Sequence, residues 1–393
     1  MTFASRAAMA SPFVLLAFAP ALAETPAVES EHYTLAVETV IEGLEHPWAL
    51  AFISEDRFLV TERNGGALRV GHRDGTLSEP IWQADDLFRY EGETERSQAG
   101  LFDVTLHPRF EENGWAYLSY SRETPNGAAI AIVRGTVSEE DGEVRFGEVE
   151  DVFVMKEADR DSSGLHFGGR MAFDGDGALH LSIGERRNLE RAQDASDQAG
   201  SVLRMSDAGE PHGDNPTFEV DDPEKGEPDP YLFSIGHRNI QALAIHPVTN
   251  ELWAADHGPD GGDEINLLVA GNNYGWPFLT GGQDYSGAPI GVGLGREGMV
   301  SPVHVFGETV APSGLTFVPD GSAFGDWAGD MLIGALAAEG VVRVRLEGGE
   351  VAGEESIEIG RRVRDVAIGP DGGLWLVTDE PDGAVLRLAP QGS

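Results

Sequence analysis

The chain has 393 residues, no cysteine and a formal net charge of −40, which arises from 27 basic and 67 acidic residues. This excess of acidic residues excludes nucleic acid and anionic membranes as partners, because both are polyanions. The absence of cysteine excludes disulfide bonds and thiolate chemistry, so stability depends on packing and on any bound metal.

The first 23 residues have the pattern of a secretory signal peptide. Arg6 precedes an apolar run over residues 13–18, and Ala21-Leu22-Ala23 forms a small-residue cleavage site. No later stretch approaches the roughly 18 apolar residues that a membrane span needs. We therefore expect residues 1–23 to be removed and residues 24–393 to form a single exported domain, periplasmic or secreted.

The remaining chain repeats one pattern six times: an apolar entry, a turn and a second apolar run. The copies begin at Pro47, Gly100, Gly168, Asn239, Ala311 and Val363. Each copy predicts two antiparallel strands, and a further strand follows most copies. Four-stranded units of this kind are typical of propeller blades. We predict an all-β fold, a six-bladed β-propeller of four-stranded antiparallel blades.

A closed propeller needs a strand that completes its last blade, and the segment from Tyr33 to Ile41 is the natural candidate because it precedes the first repeat. A solenoid or a row of sandwiches is the alternative, but an open array leaves sheet edges exposed. In a propeller, functional residues gather on loops around one mouth of the central channel. The polar residues that interrupt the repeats are therefore the candidates for a site.

A glycine-rich segment with one histidine precedes the third repeat, where residues 163–170 read SGLHFGGR. Glycines on both sides of His166 let a ligand approach the backbone closely. A neutral imidazole is the usual general base near pH 7, and Glu185, at the end of the following hairpin, is placed to orient it. The competing interpretation is a packing or capping histidine, which the segment alone does not exclude.

Arginines mark two further segments. Arg238 and Asn239 enter the fourth repeat and offer a fork of donors and an amide, which suit a carbonyl or carboxylate group. The alternative role for this pair is an inter-blade clamp. Arg362 and Arg364 begin the last repeat and, on a strand, point to the same face about 6.6 Å apart. Two such guanidinium groups suit a polycarboxylate ligand, although pairing with nearby acidic side chains explains them equally well.

An acidic, glycine-rich loop runs from Asp256 to Glu264 at the end of the fourth repeat, and residues 272–277 then read NNYGWP. Such a loop turns carboxylates and backbone carbonyls toward a hard cation, and Ca²⁺ prefers oxygen ligands. The loop lacks the EF-hand pattern. In a chain this acidic, an ordinary acidic turn is the alternative.

The order of these segments, GLHFGGR, GHRN, GPxxxDEIN with NYGWP, and RVRD, over successive repeats resembles the soluble aldose dehydrogenases that depend on pyrroloquinoline quinone (PQQ), the glucose/sorbosone dehydrogenase family. The likeness runs from about Pro47 to Leu388. It implies an oxidoreductase that oxidises the C1 hydroxyl of an aldose sugar to the lactone, with hydride transfer to PQQ. It also implies bound Ca²⁺ and a soluble electron acceptor.

The resemblance assigns roles to the residues that match the family. His166 is expected to act as the general base with support from Glu185, and Arg238 is expected to polarise the quinone carbonyl. The positions expected to bind the cofactor are Gln98, Arg238, Asn239, His257, Arg362 and Arg364.

Two calcium positions follow from the same resemblance. The backbone carbonyls of Gly258 and Pro259 are expected to hold the Ca²⁺ ion that also binds the cofactor. Glu264 and Tyr274 match a second, structural calcium position.

Two departures from the family pattern concern the cofactor and the substrate. Ala337 stands where some members have a cofactor-binding lysine, and His257 stands where glucose-oxidising members have glutamine. Both favour the broader aldose branch over a glucose-dedicated enzyme. A calcium-dependent propeller lactonase and a non-catalytic propeller that binds carbohydrate or protein are the alternatives. A lactonase gives no role to Arg362 and Arg364, which favours the dehydrogenase.

Overall fold

The computed structural model describes residues 26–90, 97–220 and 222–392. The predicted signal peptide, residues 1–23, lies outside the described residues. Six antiparallel sheets follow one another along the chain and form a six-bladed β-propeller, which confirms the predicted all-β fold.

Two N-terminal strands, β1 (Ala27–Glu29) and β2 (Thr34–Leu44), precede the first three blades. Blade 1 contains β3 (Pro47–Phe52), β4 (Arg57–Glu62), β5 (Ala67–His72) and β6 (Trp82–Gln83). Blade 2 contains β7 (Leu101–Leu106), β8 (Trp115–Thr124), β9 (Gly127–Glu140) and β10 (Glu143–Val154). Blade 3 contains β11 (Met171–Phe173), β12 (Leu179–Ile183), β13 (Ser201–Met205) and β14 (Leu232–Ile235).

The last three blades have the same order of strands. Blade 4 contains β15 (Ile240–Ile245), β16 (Leu252–Asp256), β17 (Glu264–Leu268) and β18 (His304–Val305). Blade 5 contains β19 (Pro312–Phe317), β20 (Met331–Ala335), β21 (Gly340–Glu347) and β22 (Glu350–Glu358). Blade 6 contains β23 (Val363–Ile368), β24 (Leu374–Thr378) and β25 (Gly383–Pro390), followed by β2 and β1.

The first strand of each blade lies at the centre of the ring. There β3 contacts β7, β7 contacts β11, β11 contacts β15, β15 contacts β19, β19 contacts β23, and β23 contacts β3. Strand β2 completes blade 6 by pairing with β25, from Leu35 opposite Pro390 to Leu44 opposite Gly383. The predicted closing strand is therefore confirmed, and it extends beyond Ile41 to Leu44.

The blade strands are apolar on both faces because each sheet is covered by its two neighbours. In β4, Phe58, Leu59 and Val60 are all fully buried. Successive side chains of a strand point to opposite faces, so Leu59 packs toward blade 2 while Phe58 and Val60 pack with Trp375 of blade 6. Burying large side chains from both faces of each blade stabilises the ring.

Helices occur only as short connections in the described residues. They are α1 (Phe110–Asn113) and the 3₁₀ turns Glu157–Asp159, Leu189–Gln193, Pro223–Lys225 and Gly325–Trp327. None of these helices has the length and apolar content that crossing a bilayer requires.

Candidate active site

A cavity of about 500 Å³ lies at one end of the ring. Its walls come from the loops that enter the first strands and from the ends of the second strands, so the same end of every blade contributes. The lining residues are His46, Trp48 and Arg63 of blade 1; Ser97, Gln98 and Phe102 of blade 2; Leu165, Phe167 and Gly168 of blade 3; Asn239, Gln241 and His257 of blade 4; Ala311 and Leu336 of blade 5; and Arg362, Arg364 and Asp379 of blade 6. Only a closed ring brings these residues together.

His166 and Glu185 form a buried pair behind the cavity wall. Nδ1 of His166 lies 2.5 Å from Oε2 of Glu185, and both residues are at most 5% exposed. Leu165 and Phe167, on either side of His166, line the cavity. Gln98 fixes the backbone at this point, because its Oε1 accepts a hydrogen bond of 2.8 Å from the His166 N–H.

Glycines allow the His166 loop to pack this tightly. His166 has φ of +51°, a left-handed conformation that is uncommon for a histidine and that the surrounding structure must stabilise. A Cβ atom on Gly184 would lie 2.3 Å from the carbonyl oxygen of His166. Gly168, with φ of +68°, donates its N–H to Oδ1 of Asn239 at 3.1 Å. Gly168 and Gly184 are therefore required by close backbone contacts.

The surroundings of His166 favour its neutral form. Burial lowers the pKa of His166, the hydrogen bond and charge of Glu185 raise it, and the positive charge of Arg238 lowers it; the net shift is downward. A carboxylate accepts hydrogen bonds, so the contact with Glu185 places the imidazole proton on Nδ1. Among the described residues, none donates to or accepts from Nε2. The ring therefore presents Nε2 as a base.

One buried carboxylate fixes the backbone of Arg238 and Asn239. Asp256, at the end of β16, accepts hydrogen bonds from the N–H groups of Asn239 at 2.6 Å and Arg238 at 2.9 Å. Burial raises the pKa of Asp256 to about 7, although these hydrogen bonds lower it. The Arg238 guanidinium donates to the carbonyl oxygen of His257 at 3.1 Å and lies 5.4 Å from the Trp276 ring centre. Arg238 is thus held next to the cavity without lining it.

Three arginines converge on Asp379, which follows β24. Nitrogen atoms of Arg364, Arg362 and Arg63 lie 2.6, 3.3 and 3.5 Å from its carboxylate. Nδ1 of His46 lies 3.2 Å from the same group. Burial alone would raise the pKa of Asp379, but Arg364, His46 and Arg63 outweigh burial and hold it far below its usual range. With one carboxylate among three guanidinium groups, this wall carries net positive charge.

Arg362 and Arg364 both contact Asp379, but they do not lie on one strand as predicted. Strand β23 begins at Val363, so Arg362 lies in the loop before it. Its Nη1 donates to the carbonyl of Leu336 at 3.0 Å. Arg364 is buried, and its Nη1 donates to Oε1 of Gln241 at 3.1 Å. A backbone irregularity between Val363 and Asp365 helps to explain why the strand spacing does not apply.

His257 is neutral and serves as a wall of the cavity. Its Nε2 lies 2.6 Å from the carbonyl oxygen of Pro312, which only accepts, so Nε2 carries the proton. Burial lowers the pKa of His257 to about 4. This histidine therefore joins blade 4 to blade 5 and leaves Nδ1 as an acceptor.

One carboxylate of the acidic loop after His257 stabilises the fold by binding backbone N–H groups. Asp263 accepts hydrogen bonds from the N–H groups of Gly258 at 2.9 Å, Val310 at 2.9 Å and Ala311 at 2.7 Å. Within the described ranges, no donor reaches the carbonyl oxygens of Gly258 and Pro259. No group of three or more His, Asp or Glu residues able to hold a metal occurs in those ranges. A cation in this loop would therefore be coordinated by the carbonyl oxygens of Gly258 and Pro259.

Glu264 and Tyr274 belong to blade 4 but do not line the cavity. Burial, with the nearby charge of Asp256, raises the pKa of Glu264 to about 8, and its Oε1 accepts from Asn266 at 2.9 Å. The Tyr274 hydroxyl donates to the carbonyl of Leu267 at 2.6 Å. Because the phenol is occupied in this way, a calcium contact of Tyr274 would have to come from its backbone.

The sequence reasoning missed Asp379, Arg63 and His46. It placed Asp256 in the acidic loop, whereas this carboxylate fixes the backbone of Arg238 and Asn239. A recurrent signal was available, because an acidic residue ends or follows the second strand in four blades: Glu62, Glu185, Asp256 and Asp379. Each of these carboxylates accepts a hydrogen bond from the loop that enters the first strand of its own blade or the next one. The pattern thus marks the end of the ring where the site lies.

Comparison with known proteins places the chain in a family. Residues 44–387 match the glucose/sorbosone dehydrogenase family. Aldose sugar dehydrogenase YliI of Escherichia coli is 36% identical over 363 residues, covering 91% of this chain and 94% of that protein. The apo structure of the soluble aldose sugar dehydrogenase from E. coli has a TM-score of 0.82 at 36% identity, covering 91% of this chain and all of that one. A PQQ-bound aldose sugar dehydrogenase structure from Streptomyces coelicolor has a TM-score of 0.71 at 26% identity, covering 90% and 98%. The chain belongs to the glucose/sorbosone dehydrogenase family.

Proposed function

We propose that this protein is a PQQ-dependent aldose dehydrogenase that oxidises the anomeric C1 hydroxyl of aldose sugars to the lactone, with His166 as the general base. The observation that carries the proposal is the buried His166–Glu185 pair beside a cavity with a positively charged wall. The similarity to aldose sugar dehydrogenases, one of them PQQ-bound, supports both the activity and the cofactor.

The residues of the cavity fit a planar quinone that carries several carboxylates. Arg63, Arg362 and Arg364 surround a single carboxylate, so they have charge available for an anion. Nε of Arg364 is buried and has no hydrogen-bond partner among the described residues. Aromatic rings supply the flat apolar walls: Trp48, Phe102 and Phe167. Arg362 and Arg364 would bind cofactor carboxylates.

Gln98 and Asn239 would supply hydrogen-bond donors to the cofactor. The Oε1 atom of Gln98 accepts from His166, and the Oδ1 atom of Asn239 accepts from Gly168. Each amide oxygen is therefore occupied, which orients the corresponding NH₂ group as a donor. Both residues line the cavity, as does His257, whose Nδ1 can accept.

His166 would take the proton of the sugar C1 hydroxyl on Nε2. Bound PQQ supplies the acceptor for the hydride that leaves C1. The Glu185 carboxylate, through Nδ1–H, stabilises the positive charge that His166 acquires, as in other base–carboxylate pairs. Arg238 adds a fixed positive charge near the site, which stabilises negative charge that develops on an oxygen there.

A Ca²⁺ ion would use the acidic loop. The carbonyl oxygens of Gly258 and Pro259 lack donors among the described residues, and calcium accepts carbonyl ligands. Glu264 and the backbone of Tyr274 are proposed for a second, structural ion. We therefore expect calcium addition to raise PQQ affinity.

The proposed cellular setting follows from the sequence. The charged, apolar and small-residue pattern of residues 1–23 supports export to the periplasm or beyond. A soluble electron acceptor would then collect the electrons that the sugar releases.

The experiment that tests the proposed function is a dye-reduction assay on purified protein with PQQ, Ca²⁺ and a panel of aldoses. We expect aldose-dependent dye reduction that requires PQQ and is lost in His166→Ala, while His166→Ala still binds PQQ in an ultraviolet-visible titration. Lactone hydrolysis without dye reduction would instead identify a propeller lactonase. The absence of a saturable spectral change with PQQ would indicate a non-catalytic propeller.

A further inference from the structure

Exposed apolar side chains are concentrated in residues 269–303, the segment that connects β17 to β18 in blade 4. Among the described residues, nine large apolar side chains are exposed, and six of them lie in this segment: Val269, Phe278, Tyr285, Val292, Leu294 and Val303. Val292 is 70% exposed and Tyr285 is 63% exposed. Single exposed apolar residues are ordinary, whereas a group of them marks an interaction site.

Backbone hydrogen bonds bring three of these side chains into one surface. The N–H of Val292 donates to the carbonyl of Phe278 at 2.8 Å, and the N–H of Thr280 donates to the carbonyl of Gly293 at 3.1 Å. Residues 292–294 therefore lie beside residues 278–280. We call the exposed side chains of Phe278, Val292 and Leu294 the blade 4 patch.

The segment that carries the blade 4 patch also reaches the candidate active site. Asp260 and Gln283 exchange two backbone hydrogen bonds, of 2.9 and 3.1 Å, which join the segment to the acidic loop. The hydroxyl of Tyr285 lies 3.4 Å from Nη2 of Arg238. Trp276, just before the patch, has its ring centre 5.4 Å from the same guanidinium group. The patch is therefore close to the residues proposed for sugar oxidation.

The surroundings of the blade 4 patch are acidic. Residues 256–310 contain seven acidic residues and one basic residue, Arg296. Glu297 is exposed and lies three residues after Leu294. The whole chain has a net charge of −40. Electrostatic complementarity therefore favours a partner with a positive surface and disfavours a second copy of this acidic chain.

The proposed oxidation needs a partner that removes electrons. Each sugar that is oxidised to its lactone gives up two electrons and two protons. A haem protein accepts one electron at a time, so two ferric haems are reduced for each sugar and two protons are released to solvent. Complexes between electron-transfer proteins have small interfaces, and an interface commonly has an apolar centre and a polar rim. A small apolar patch with acidic neighbours fits such a complex.

We propose that the blade 4 patch docks a small, basic haem protein that accepts the electrons of the oxidised sugar. This inference rests on the proposed aldose oxidation and names the class of its soluble electron acceptor. Val292 and Leu294 would form the apolar centre of the interface, and Glu297 would attract basic side chains of the partner. Docking at this position holds the partner beside the end of the ring where the cavity lies.

The test measures the reduction of two acceptors, oxidised cytochrome c, which is a basic haem protein, and a small dye. We expect the double variant Val292→Ser/Leu294→Ser to lower kcat/KM for cytochrome c about tenfold, because the apolar centre of the interface is lost. The rate of dye reduction should stay at the wild-type value. Added salt should slow the reduction of cytochrome c but not that of the dye, and Glu297→Gln should weaken this salt dependence. The Glu297→Gln measurement keeps the test valid if the double variant does not fold.

Val248→Ser is the matched control, since Val248 is 85% exposed and lies between β15 and β16, at the end of blade 4 away from the cavity. It should reduce cytochrome c at the wild-type rate. Equal rates of cytochrome c reduction in Val248→Ser and the double variant would overturn docking at the patch. A wild-type dimer in sedimentation that the double variant abolishes would assign the patch to a second copy of the chain and overturn the inference too.

The two acceptors separate this inference from the proposed function. Dye reduction without reduction of cytochrome c would overturn the docking of a basic haem protein and leave aldose oxidation intact. If the wild-type protein with PQQ, Ca²⁺ and aldose reduces neither acceptor, the proposed function fails and this inference fails with it.

Discussion

Nδ1 of His166 lies 2.5 Å from Oε2 of Glu185, and the two residues are brought together by the hairpin of β11 and β12 in blade 3. The contact places the ring proton on Nδ1, so Nε2 keeps its lone pair as an acceptor. Glu185 also accepts from the N–H of Arg187 at 3.1 Å, which fixes the carboxylate itself. A base oriented by a second fixed group is the arrangement that proton abstraction requires.

Glu185→Gln should reduce kcat by about 10²- to 10⁴-fold, the contribution typical of a general base that loses its orientation and charge support. An amide is neutral and its NH₂ group can donate to Nδ1, which moves the imidazole proton to Nε2. Steady-state dye reduction measures the loss. PQQ affinity, followed by spectral titration, serves as the control and should not change, because Glu185 does not line the cavity. A wild-type kcat in Glu185→Gln would show that another group is the base.

The acid limb of kcat/KM should lie below pH 6.5, because burial, reinforced by the charge of Arg238, lowers the pKa of His166 more than Glu185 raises it. Activity needs neutral His166, so it is complete above this pKa and falls as the pH drops through it. Arg238→Met removes a positive charge, which should raise the pKa and move the limb to higher pH. Glu185→Gln should move it to lower pH. If the acid limb of kcat/KM moved in the same direction in both variants, its assignment to His166 would be wrong.

The fold could be predicted from the sequence because its signals are local and repeated. Six copies of a two-strand pattern, with the spare strand before the first copy, define the blades and their closure. The glycines on both sides of His166 predict only that a ligand can approach the backbone closely there. Hydrophobic periodicity and turn residues depend on positions that are close along the chain, so these patterns predict strands and turns.

The contact of Arg63 with Asp379 could not be predicted, because the two residues are distant along the chain. Arg63 and Asp379 lie in the first and last blades, and only ring closure brings them within 3.5 Å. Gln98 matched a cofactor position, but its bond to the N–H of His166 depends on how blades 2 and 3 pack. Asp263 looked like part of a metal loop, whereas its carboxylate binds three backbone N–H groups.

Gly184→Ala should abolish most of the activity through displacement of the His166 loop, since the new Cβ atom would lie 2.3 Å from the His166 carbonyl oxygen. We expect destabilisation of about 1 to 3 kcal/mol, as for other overpacked sites. Urea unfolding and dye reduction measure the two effects. Gly213→Ala is the control, because its Cβ atom would meet nothing within 4 Å. Full activity of Gly184→Ala would mean that the loop adjusts without moving His166.

Asp379→Asn should lower the free energy of unfolding by about 3 to 5 kcal/mol, because it leaves buried Arg364 with no carboxylate partner. PQQ should raise the melting temperature of this variant more than that of the wild-type protein, since the cofactor carboxylates then provide the missing negative charge. Differential scanning calorimetry with and without PQQ measures both effects. Asp320→Asn, at an exposed position, is the control. Equal stabilisation of wild type and Asp379→Asn by PQQ would contradict an anion site at these arginines.

Deletion of residues 1–44 should open the ring, because it removes β2 and leaves the edge of β25 unpaired. Buried Leu35, Ile41 and Leu44 are lost with the strand, at about 1.5 to 3 kcal/mol for each side chain. We expect aggregation, detected by light scattering, since an exposed strand edge pairs with other chains. A deletion of residues 1–25 keeps β1 and β2 and should remain monodisperse under the same conditions. A synthetic peptide of residues 26–44 should restore the solubility of the longer deletion by adding the missing strand. If the longer deletion behaves like the shorter one, blade 6 does not need β2 for closure.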